Sequence, residues 1–299
     1  MPMQNEYKVT AAFVQDFHDA FEHELVQKES RLLATVHNRG SITGKSFTIN
    51  DLGSVEMKAY TGRFTDTVWT HPDAGTRTVI MGDYSLFLPI EHSDLPKMKA
   101  HPSDSYMRML VESANRKKDD VIYQSLVGSV SRKTVSDAGV ETSTNVAVPA
   151  GQIILANTTP LTKAKLIKGR SIFRKNEADS EDINIVYSSQ MMEQILADTT
   201  LTSADFMAVK MLQEGDISGK WLGMNWIPYE KQNAGAGGAT ELRTAMYSKS
   251  AVHFGDAPIS QFKINERPDK NNINQVGGVH SYGAGRANEK KVVLIDYVI

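Results

Sequence analysis

The sequence predicts an α+β protein in which a long strand-rich segment leads into one long helix and then into a compact mixed region. Three observations favour this fold class. Residues 40–90 alternate apolar and polar side chains, and residues 103–127 repeat apolar side chains every three or four positions. Shorter strand-like and helix-like segments alternate after that helix. Because a two-stranded ribbon is marginal alone in water, the strand-rich segment needs another surface to lie on.

The composition describes a folded protein without a strong charge bias. The chain has 299 residues, of which 40% are hydrophobic, enough for one large domain or two smaller ones. Its 33 Lys and Arg against 35 Asp and Glu give a formal charge of −2, so no basic excess indicates tight coating of nucleic acid. With no cysteine, disulfides, thiolate metal sites and a cysteine nucleophile are excluded.

The sequence lacks the patterns that direct a chain into or across a membrane. The first ten residues carry one lysine and no apolar core of the kind that a secretory signal requires. The apolar run at residues 292–299 has the length of a strand and is interrupted by Asp296. We therefore expect a protein that stays inside the cell that makes it and does not bind a membrane.

An aromatic stripe marks the predicted first helix. Thr10 can cap a helix that runs to about Val36, and Phe13, Phe17 and Phe21 then stack on one face. That face must be buried. It either docks on its own domain or lies across a neighbouring subunit as an arm.

The strand-rich segment is predicted to form extended hairpins. Strands are expected at residues 46–51, 55–70 and 76–91, with a turn at the HPDAG sequence between the last two. Phe64 and Trp69 lie in a stretch with period two whose two faces are both mixed, as in a projecting ribbon with partners elsewhere. An edge hairpin on the protein's own sheet is the alternative.

The long helix is predicted from Ser103 to Val127, opened by Pro102 and stopped by Gly128. We expect an apolar face to pack on the protein's own sheet, and we expect Arg116, Lys117 and Asp120 to face solvent or an adjacent subunit. Apolar positions are Met107, Leu110, Val111, Ala114, Val121, Ile122 and Leu126; charged positions assigned to the other face are Arg108, Glu112, Arg116, Lys117, Asp119 and Asp120. A long helix that crosses an ordinary enzyme core would give the same pattern.

The remainder of the chain is predicted to alternate strands and helices. Helices are expected at residues 161–175, 188–198 and 202–215, and strands at residues 151–157, 183–189 and 219–230. Residues 275–299 are predicted to form two strands around a glycine turn. The glycine-rich stretch at residues 233–240 is predicted to be a surface loop.

Two glycine-containing segments resemble nucleotide-binding loops only superficially. The GSITGKS sequence, Gly40–Ser46, has one residue too few between its glycines, and a strand rather than a helix is predicted to follow it. A turn at the base of the hairpin is the preferred interpretation. In NAGAGGATE, Thr240 replaces the third glycine of a dinucleotide loop, and no buried strand enters it.

No constellation of catalytic or metal-ligating residues can be nominated. The pairs His18 with Glu22 and Asp19 with His23 have four-residue helical spacing, but a third ligand is missing. No nucleophile elbow occurs. We therefore predict no catalytic residue, no metal ion and no cofactor.

Taken in order, these segments resemble the major capsid proteins of tailed double-stranded DNA phages, which have the Hong Kong 97-type fold. The resemblance extends over nearly the whole chain and depends on the order of elements rather than on a short signature. The most specific stretches are residues 9–36 followed by GSITGKSFTINDLG, the helix that ends in DDVIYQSLVG, TAMYSKSAVHFGD, and the C-terminal residues 276–299.

The resemblance implies four regions. They are an N-arm at residues 1–38, an extended loop at residues 39–92, a peripheral domain with its spine helix at residues 93–150 and 258–299, and an axial domain at residues 151–257. In such proteins the extended loop overlaps an adjacent subunit, and the axial domain gathers around five-fold and six-fold axes. No long segment that would be cleaved at maturation precedes the predicted helix, so a separate scaffolding protein is expected. Lys45 and Lys58 lie in the loop that carries a crosslinking lysine in some relatives, but no asparagine partner is apparent.

The function implied is that of a shell subunit and not of an enzyme. We expect many copies to associate as pentamers and hexamers around a double-stranded DNA genome, without sequence-specific binding, in a virion assembled in the host cytoplasm. Scaffolding, portal and decoration proteins are the other expected partners. Residues expected at contacts between subunits are Phe13, Phe17, Phe21, Phe64, Trp69, Arg116 and Lys117.

Two alternatives stay open at this point. An encapsulin-like compartment has the same fold but encloses cargo enzymes in a cell, and a bound cargo peptide would distinguish it. The second alternative is a nucleotide-dependent enzyme that uses the loop at Lys45; nucleotide binding that is lost in Lys45→Ala would support it.

Overall fold

A computed structural model describes residues 27–59, 62–63, 66–67, 69–90, 102–136, 139–197, 220–270 and 272–299. The chain divides into two compact units. The first contains the described parts of Met1–Ser30, Gly82–Lys118 and Ala257–Tyr282, and the second those of Arg31–Met81, Asp119–Asp256 and Gly283–Ile299.

The first unit consists of the first two thirds of a long helix on a small antiparallel sheet. Helix α1 spans Pro102–Val127, one residue longer at its start than predicted. In this unit β4 (Gly82–Ile90) pairs with β14 (Ile273–Arg286), which in turn neighbours β13 (Val252–Arg267). Leu110 of the helix is fully buried against Ile90 and Val276. The predicted packing of this helix face on the protein's own sheet is confirmed here.

The second unit contains the main core, built on a mixed sheet. Its strand order is β7 (Ile153–Ile154), β15 (Val292–Val298), β12 (Gly238–Ser248), β8 (Ile183–Tyr187), β10 (Met224–Pro228) and β9 (Lys220–Trp221), with β11 (Ala234–Gly235) paired to β12. Every side chain of β8 is buried, as its mostly apolar sequence predicts, and this includes Asn184. Helices α2 (Lys163–Lys175) and α3 (Ser189–Ala197) contribute Leu166, Phe173 and Met191 to this core.

A four-stranded antiparallel sheet in the second unit carries the base of the predicted extended loop. Strands β2 (Ser46–Leu52) and β3 (Ala74–Ile80) pair from Ser46 with Ile80 to Leu52 with Ala74. Strand β3 pairs with β5 (Val130–Val135), which forms a hairpin with β6 (Glu141–Val146). The β5–β6 hairpin therefore supplies the edge partner that the β2–β3 ribbon needs.

The turn that resembles a phosphate loop joins two strands. It lies between β1 (His37–Ser41) and β2, and Gly40 and Gly44 have φ of 74° and 128°, which favour glycine. The Met81 amide donates to the Lys45 carbonyl at 2.9 Å, so this turn closes the open end of the β2–β3 hairpin. A strand follows the turn, as predicted, and the helix N-terminus that would face phosphates is missing from this position.

Several predicted boundaries are wrong. Residues 27–36 contain only a short 3₁₀ turn at Leu33–Thr35, so the described end of the predicted first helix is not α-helical. Residues 55–59 are not in a strand. The predicted strand at residues 219–230 is a hairpin that turns at Leu222 and Gly223, both with positive φ.

The glycines near the C-terminus are also placed differently from the prediction. They lie inside β14, and the turn before β15 is a 3₁₀ turn at Glu289–Lys291. Gly277 is in close contact with Phe87, and Gly285 with Val79, so a side chain at either position would clash with its neighbour. The predicted surface loop at residues 233–240 is a β-hairpin formed by β11 and β12.

Candidate intersubunit surfaces

The β2–β3 hairpin has one buried face and one exposed face. Phe47 and Ile49 of β2 and Val79 of β3 are buried, whereas the side chains between them point outward. This alternation follows from the two-residue period of a strand with one face on a core. The hairpin is therefore held to its own unit by one face, and the other is available to a partner.

Ion pairs fix the base of the hairpin. Arg77 is buried in β3; its Nη2 donates to Glu289 Oε2 at 2.7 Å, and its Nε donates to Asp51 Oδ2 at 3.0 Å. Asp51 also accepts from Arg132 Nε at 2.8 Å, and Arg132 reaches Asp73 Oδ2 at 3.0 Å. A shift in the register of β2, β3 or β5 would separate these partners and leave a buried charge unpaired, which is unfavourable. The network therefore stabilises the observed register.

The electrostatics of this network favour the charged forms. Burial alone would lower the pKa of Arg77, but its hydrogen bonds to Glu289 and Asp51 outweigh that effect and raise the pKa. Burial alone would likewise raise the pKa of Glu289, yet hydrogen bonding to Arg77 and its charge lower it. The pair therefore stays ionised at neutral pH.

A second buried arginine closes the C-terminal end of α1. The Arg286 side chain is completely buried, and its Nη1 donates to the carbonyls of Leu126 at 3.1 Å and Gly128 at 2.7 Å. Its Nη2 donates to the Val146 carbonyl at 2.9 Å. The last carbonyls of a helix lack partners within the helix and carry partial negative charge, so a cation is favoured there. Arg286 thus ties the helix end to β6.

Large apolar side chains are exposed along the hairpin and the segment that joins its strands. Met57 is fully exposed, Trp69 is 79% exposed and Ile80 is 78% exposed. We call this set the exposed loop surface; it consists of Leu52, Val55, Met57, Trp69 and Ile80. Single exposed apolar residues are ordinary, but a concentration of them in one segment is typical of a contact surface.

The sequence predicted only Trp69 among the residues of this surface. Ile80 could have been found from its place beside Val79, since neighbours on a strand face opposite sides and only one of them can enter the core. Met57 carried no such signal because the strand predicted around it is not formed.

The charged face of α1 differs from the prediction. Glu112 and Asp119 are buried rather than solvated. Asp119 accepts the backbone amides of Arg31 at 3.0 Å and Leu32 at 3.1 Å, because the segment before β1 crosses the helix there. Asp120, predicted to face solvent or a neighbour, accepts from Tyr229 of the same unit at 3.0 Å.

Arg116 and Lys117 are half-buried and belong to the first unit. Lys117 Nζ lies 4.5 Å from the centroid of the Tyr84 ring, a cation–π geometry. On the same helix, Val111 is 44% exposed although it was assigned to the apolar face. A role for Arg116 and Lys117 between subunits stays a prediction.

Other predicted site residues cannot be placed. Phe13, Phe17, Phe21 and Phe64 lie outside the described residues, as do the histidines and acids of residues 18–23 and the predicted helix at residues 202–215. Within the described ranges, no group of three His, Asp or Glu side chains could hold a metal ion. No helix in that part of the chain combines the length and the apolar character needed to cross a bilayer.

Comparison with known proteins identifies the family. The model of the phage capsid protein family matches residues 9–299. No curated protein sequence matches the chain. Among solved structures, the capsid of Ralstonia phage GP4 aligns with a TM-score of 0.68 at 11% identity, covering 95% of this chain and 94% of that one.

Two further structures give the same result. The capsid of cyanophage P-SCSP1u aligns with a TM-score of 0.67 at 14% identity, covering 96% of this chain and 93% of that one. A structure from Mycobacterium phage Che8 aligns with a TM-score of 0.66 at 14% identity, covering 94% and 96%. The fold is the Hong Kong 97-type fold of tailed-phage capsids. The chain belongs to the phage capsid protein family and is a major capsid protein that forms the shell of the phage head.

Proposed function

We propose that this protein acts as a structural subunit without catalytic activity, whose copies associate as pentamers and hexamers and close into an icosahedral shell around double-stranded DNA. The observation that carries the proposal is the exposed loop surface, with Met57, Trp69 and Ile80 open to solvent in the single chain. Such a surface is unfavourable in an isolated protomer and becomes favourable when a neighbour covers it.

The rigid base of the hairpin supports this use. The network of Arg77, Glu289 and Asp51 fixes β2 and β3, which carry Leu52 and Ile80 of the exposed loop surface. An interface that forms on a preorganised element loses less conformational entropy than one that forms on a mobile loop. Contacts of one patch with a different patch on the next copy generate closed rings when the rotation closes, and many such contacts add up to a stable shell.

We assign four regions to the roles that the fold family implies. Residues 1–38 are the N-arm, residues 39–92 the extended loop, residues 93–150 and 258–299 the peripheral domain, and residues 151–257 the axial domain. Assembly takes place in the host cytoplasm, with a scaffolding protein, a portal and possible decoration proteins as partners. Trp69, Arg116 and Lys117, together with Phe13, Phe17, Phe21 and Phe64, are the proposed contacts between copies.

Electron microscopy of the purified protein tests this function. We expect closed shells of uniform size, alone or with the scaffolding protein of the same phage. Trp69→Ser is expected to reduce the yield of shells, because it removes an exposed anchor without changing the core. His71→Ser, an exposed polar position two residues away, is the matched control and should leave the yield unchanged. Only small oligomers under every assembly condition, with scaffold included, would contradict the proposal.

A further inference from the structure

Helix α2 concentrates positive charge to a degree that is unusual for this chain. Its thirteen residues, KAKLIKGRSIFRK, contain six Lys and Arg and no acid, although the whole chain has a formal charge of −2. Two of the six point inward. Lys165 is buried and donates to the Thr159 carbonyl at 2.9 Å, and Arg170 donates to the Leu222 carbonyl.

The other four cations lie on the exposed side of the helix. Lys163, Lys168, Arg174 and Lys175 are all exposed. At about 100° per residue, Lys163 and Arg174 fall on one edge of the exposed arc, and Lys168 and Lys175 on the other, about 120° away. Between the two edges lie the exposed residues Ala164, Ile167 and Ser171. We call these seven residues the basic face.

Among the residues that the structure describes, only one weak ion pair neutralises part of this face. Arg174 Nε lies 3.7 Å from Asp179 Oδ2, and both side chains are well exposed, so that pair is weak. At 1.5 Å per residue, the cations from Lys163 to Lys175 extend over about 18 Å. Each strand of duplex DNA carries one phosphate charge per about 3.4 Å of helix axis, so several phosphates of one strand lie within that length.

We propose that the basic face of α2 binds the phosphate backbone of duplex DNA without regard to sequence, and so forms a contact between the shell and its genome. This proposal rests on the proposed enclosure of double-stranded DNA. The occupant follows from charge complementarity, because two cationic edges separated by an uncharged strip can both reach the phosphates of one backbone. An acidic protein partner would need more apolar anchors than Ile167. The rest of the chain carries a formal charge of −8, which is the −2 of the whole chain less the +6 of α2, so it disfavours DNA and keeps the contact local.

Binding of a fluorescent 30-base-pair duplex to the unassembled full-length protein, followed by anisotropy at increasing NaCl, tests the proposal. With four phosphates neutralised, the logarithm of the affinity should fall with the logarithm of salt at a slope of about −3.6. The variant Lys163→Gln, Lys168→Gln, Arg174→Gln, Lys175→Gln should lose roughly a hundredfold or more in affinity at about 50 mM salt, with a slope near zero.

A second variant removes the same number of charges from other exposed positions. It combines Lys45→Gln, Lys249→Gln, Lys263→Gln and Lys270→Gln, and it should keep most of the affinity and the slope. Equal losses in both variants would overturn the proposal, as would an unchanged affinity in the α2 variant. Competition by polyglutamate as effective as that by DNA, at equal charge, would also overturn it, because the face would then fit an acidic protein.

Shell formation is scored separately by electron microscopy of the same preparations. If the parent protein builds no shells, the proposed function is wrong, and the DNA-binding data still show whether the basic face of α2 binds duplex DNA. If shells form and the α2 variant binds DNA like the parent, the contact with DNA fails and the function stands.

Discussion

At the residue scale, Arg286 shows how one buried cation can hold several elements together. Its guanidinium donates to the end of α1 at Leu126 and Gly128 and to β6 at Val146, and it lies 3.5 Å from Glu289. Burial lowers the pKa of Arg286, but arginine remains charged at any physiological pH. Together with the Ser125 carbonyl, which accepts at 3.4 Å, four carbonyls therefore depend on one side chain.

The variant Arg286→Met should destabilise the unassembled protein by at least about 3 kcal/mol. Methionine fills similar space but leaves those carbonyls buried without donors, at about 1–3 kcal/mol for each. Urea unfolding followed by tryptophan fluorescence measures the effect. Arg267→Met, an exposed arginine paired with Asp269, is the control and should unfold like the parent. Equal midpoints for the parent and Arg286→Met would show that the carbonyls find other partners.

His253 gives the protein a dependence on pH. It faces His37 across parallel strands β1 and β13, with ring centroids 4.6 Å apart. Burial, followed by the positive charges of His37 and Arg39, lowers the pKa of His253 from 6.5 to about 4. Below about pH 6.5 the His253 side chain is protonated in the unfolded chain, whereas in the folded chain it is protonated only near pH 4. Folding stability is thus fully present above pH 6.5 and declines as the pH falls toward 4.

We expect His253→Gln to flatten that decline. Urea midpoints of the unassembled protein at several values between pH 7 and pH 4.5 measure it, and the parent should lose more stability over this range than the variant. His71→Gln, which removes an exposed histidine, should follow the parent. Parallel curves for all three proteins would contradict the assignment.

At the element scale, neighbouring positions of β3 separate folding from association. Val79 is 5% exposed and in close contact with Gly285, whereas Ile80 is 78% exposed. Val79→Ala should lower the free energy of unfolding of the unassembled protein by about 2 kcal/mol, since it removes buried methyl groups and leaves a cavity. Ile80→Ala should change that free energy by less than about 0.5 kcal/mol but reduce shell yield. Chemical denaturation and electron microscopy measure the two effects. If Val79→Ala reduced only the shell yield and Ile80→Ala lowered the free energy of unfolding, β3 would face the core with its opposite side.

The same strand shows what the sequence could predict. Periodicity finds strands and helices wherever one face is buried, and this is why α1 and α2 match their predictions closely. Strand β8, buried on both faces, was found from its mostly apolar sequence. Periodicity fails where the burial of a residue depends on a contact with a distant part of the chain. Asp119 looked like a solvated acid because nothing nearby in sequence shows that the amides of Arg31 and Leu32 lie over it.

The candidate surface was predicted less well than the fold. Trp69 was found as a large apolar residue in a predicted ribbon with partners elsewhere; it is 79% exposed in the single chain, and its contact with another copy stays a prediction. The ion pairs of Arg77 with Glu289 and Asp51 join residues far apart in the chain, so spacing cannot reveal them. Glycines 277 and 285 were read as a turn because local sequence cannot distinguish a turn from close contact with Phe87 or Val79.

At the scale of the whole molecule, the stability of this protein should depend on its neighbours. Any partner that binds the folded chain and not the unfolded one stabilises it by mass action, and a shell supplies such partners on many sides. Covering a large apolar side chain contributes about 1.5–3 kcal/mol. Met57 and Trp69, both open in the single chain, together account for roughly 3–6 kcal/mol of this effect.

The double variant Met57→Ser, Trp69→Ser should therefore melt like the parent when unassembled but about 10 °C lower when assembled, given about 2–4 °C per kcal/mol for a domain of 150–250 residues. Scanning calorimetry of shells and of dissociated protein, at matched concentration, separates the two states. Lys249→Ser, Lys270→Ser changes exposed polar positions instead and should shift neither transition. A double variant whose shells melt with the parent would place the contacts between copies elsewhere, whereas a lower midpoint in the unassembled state would mean that these side chains pack within their own chain.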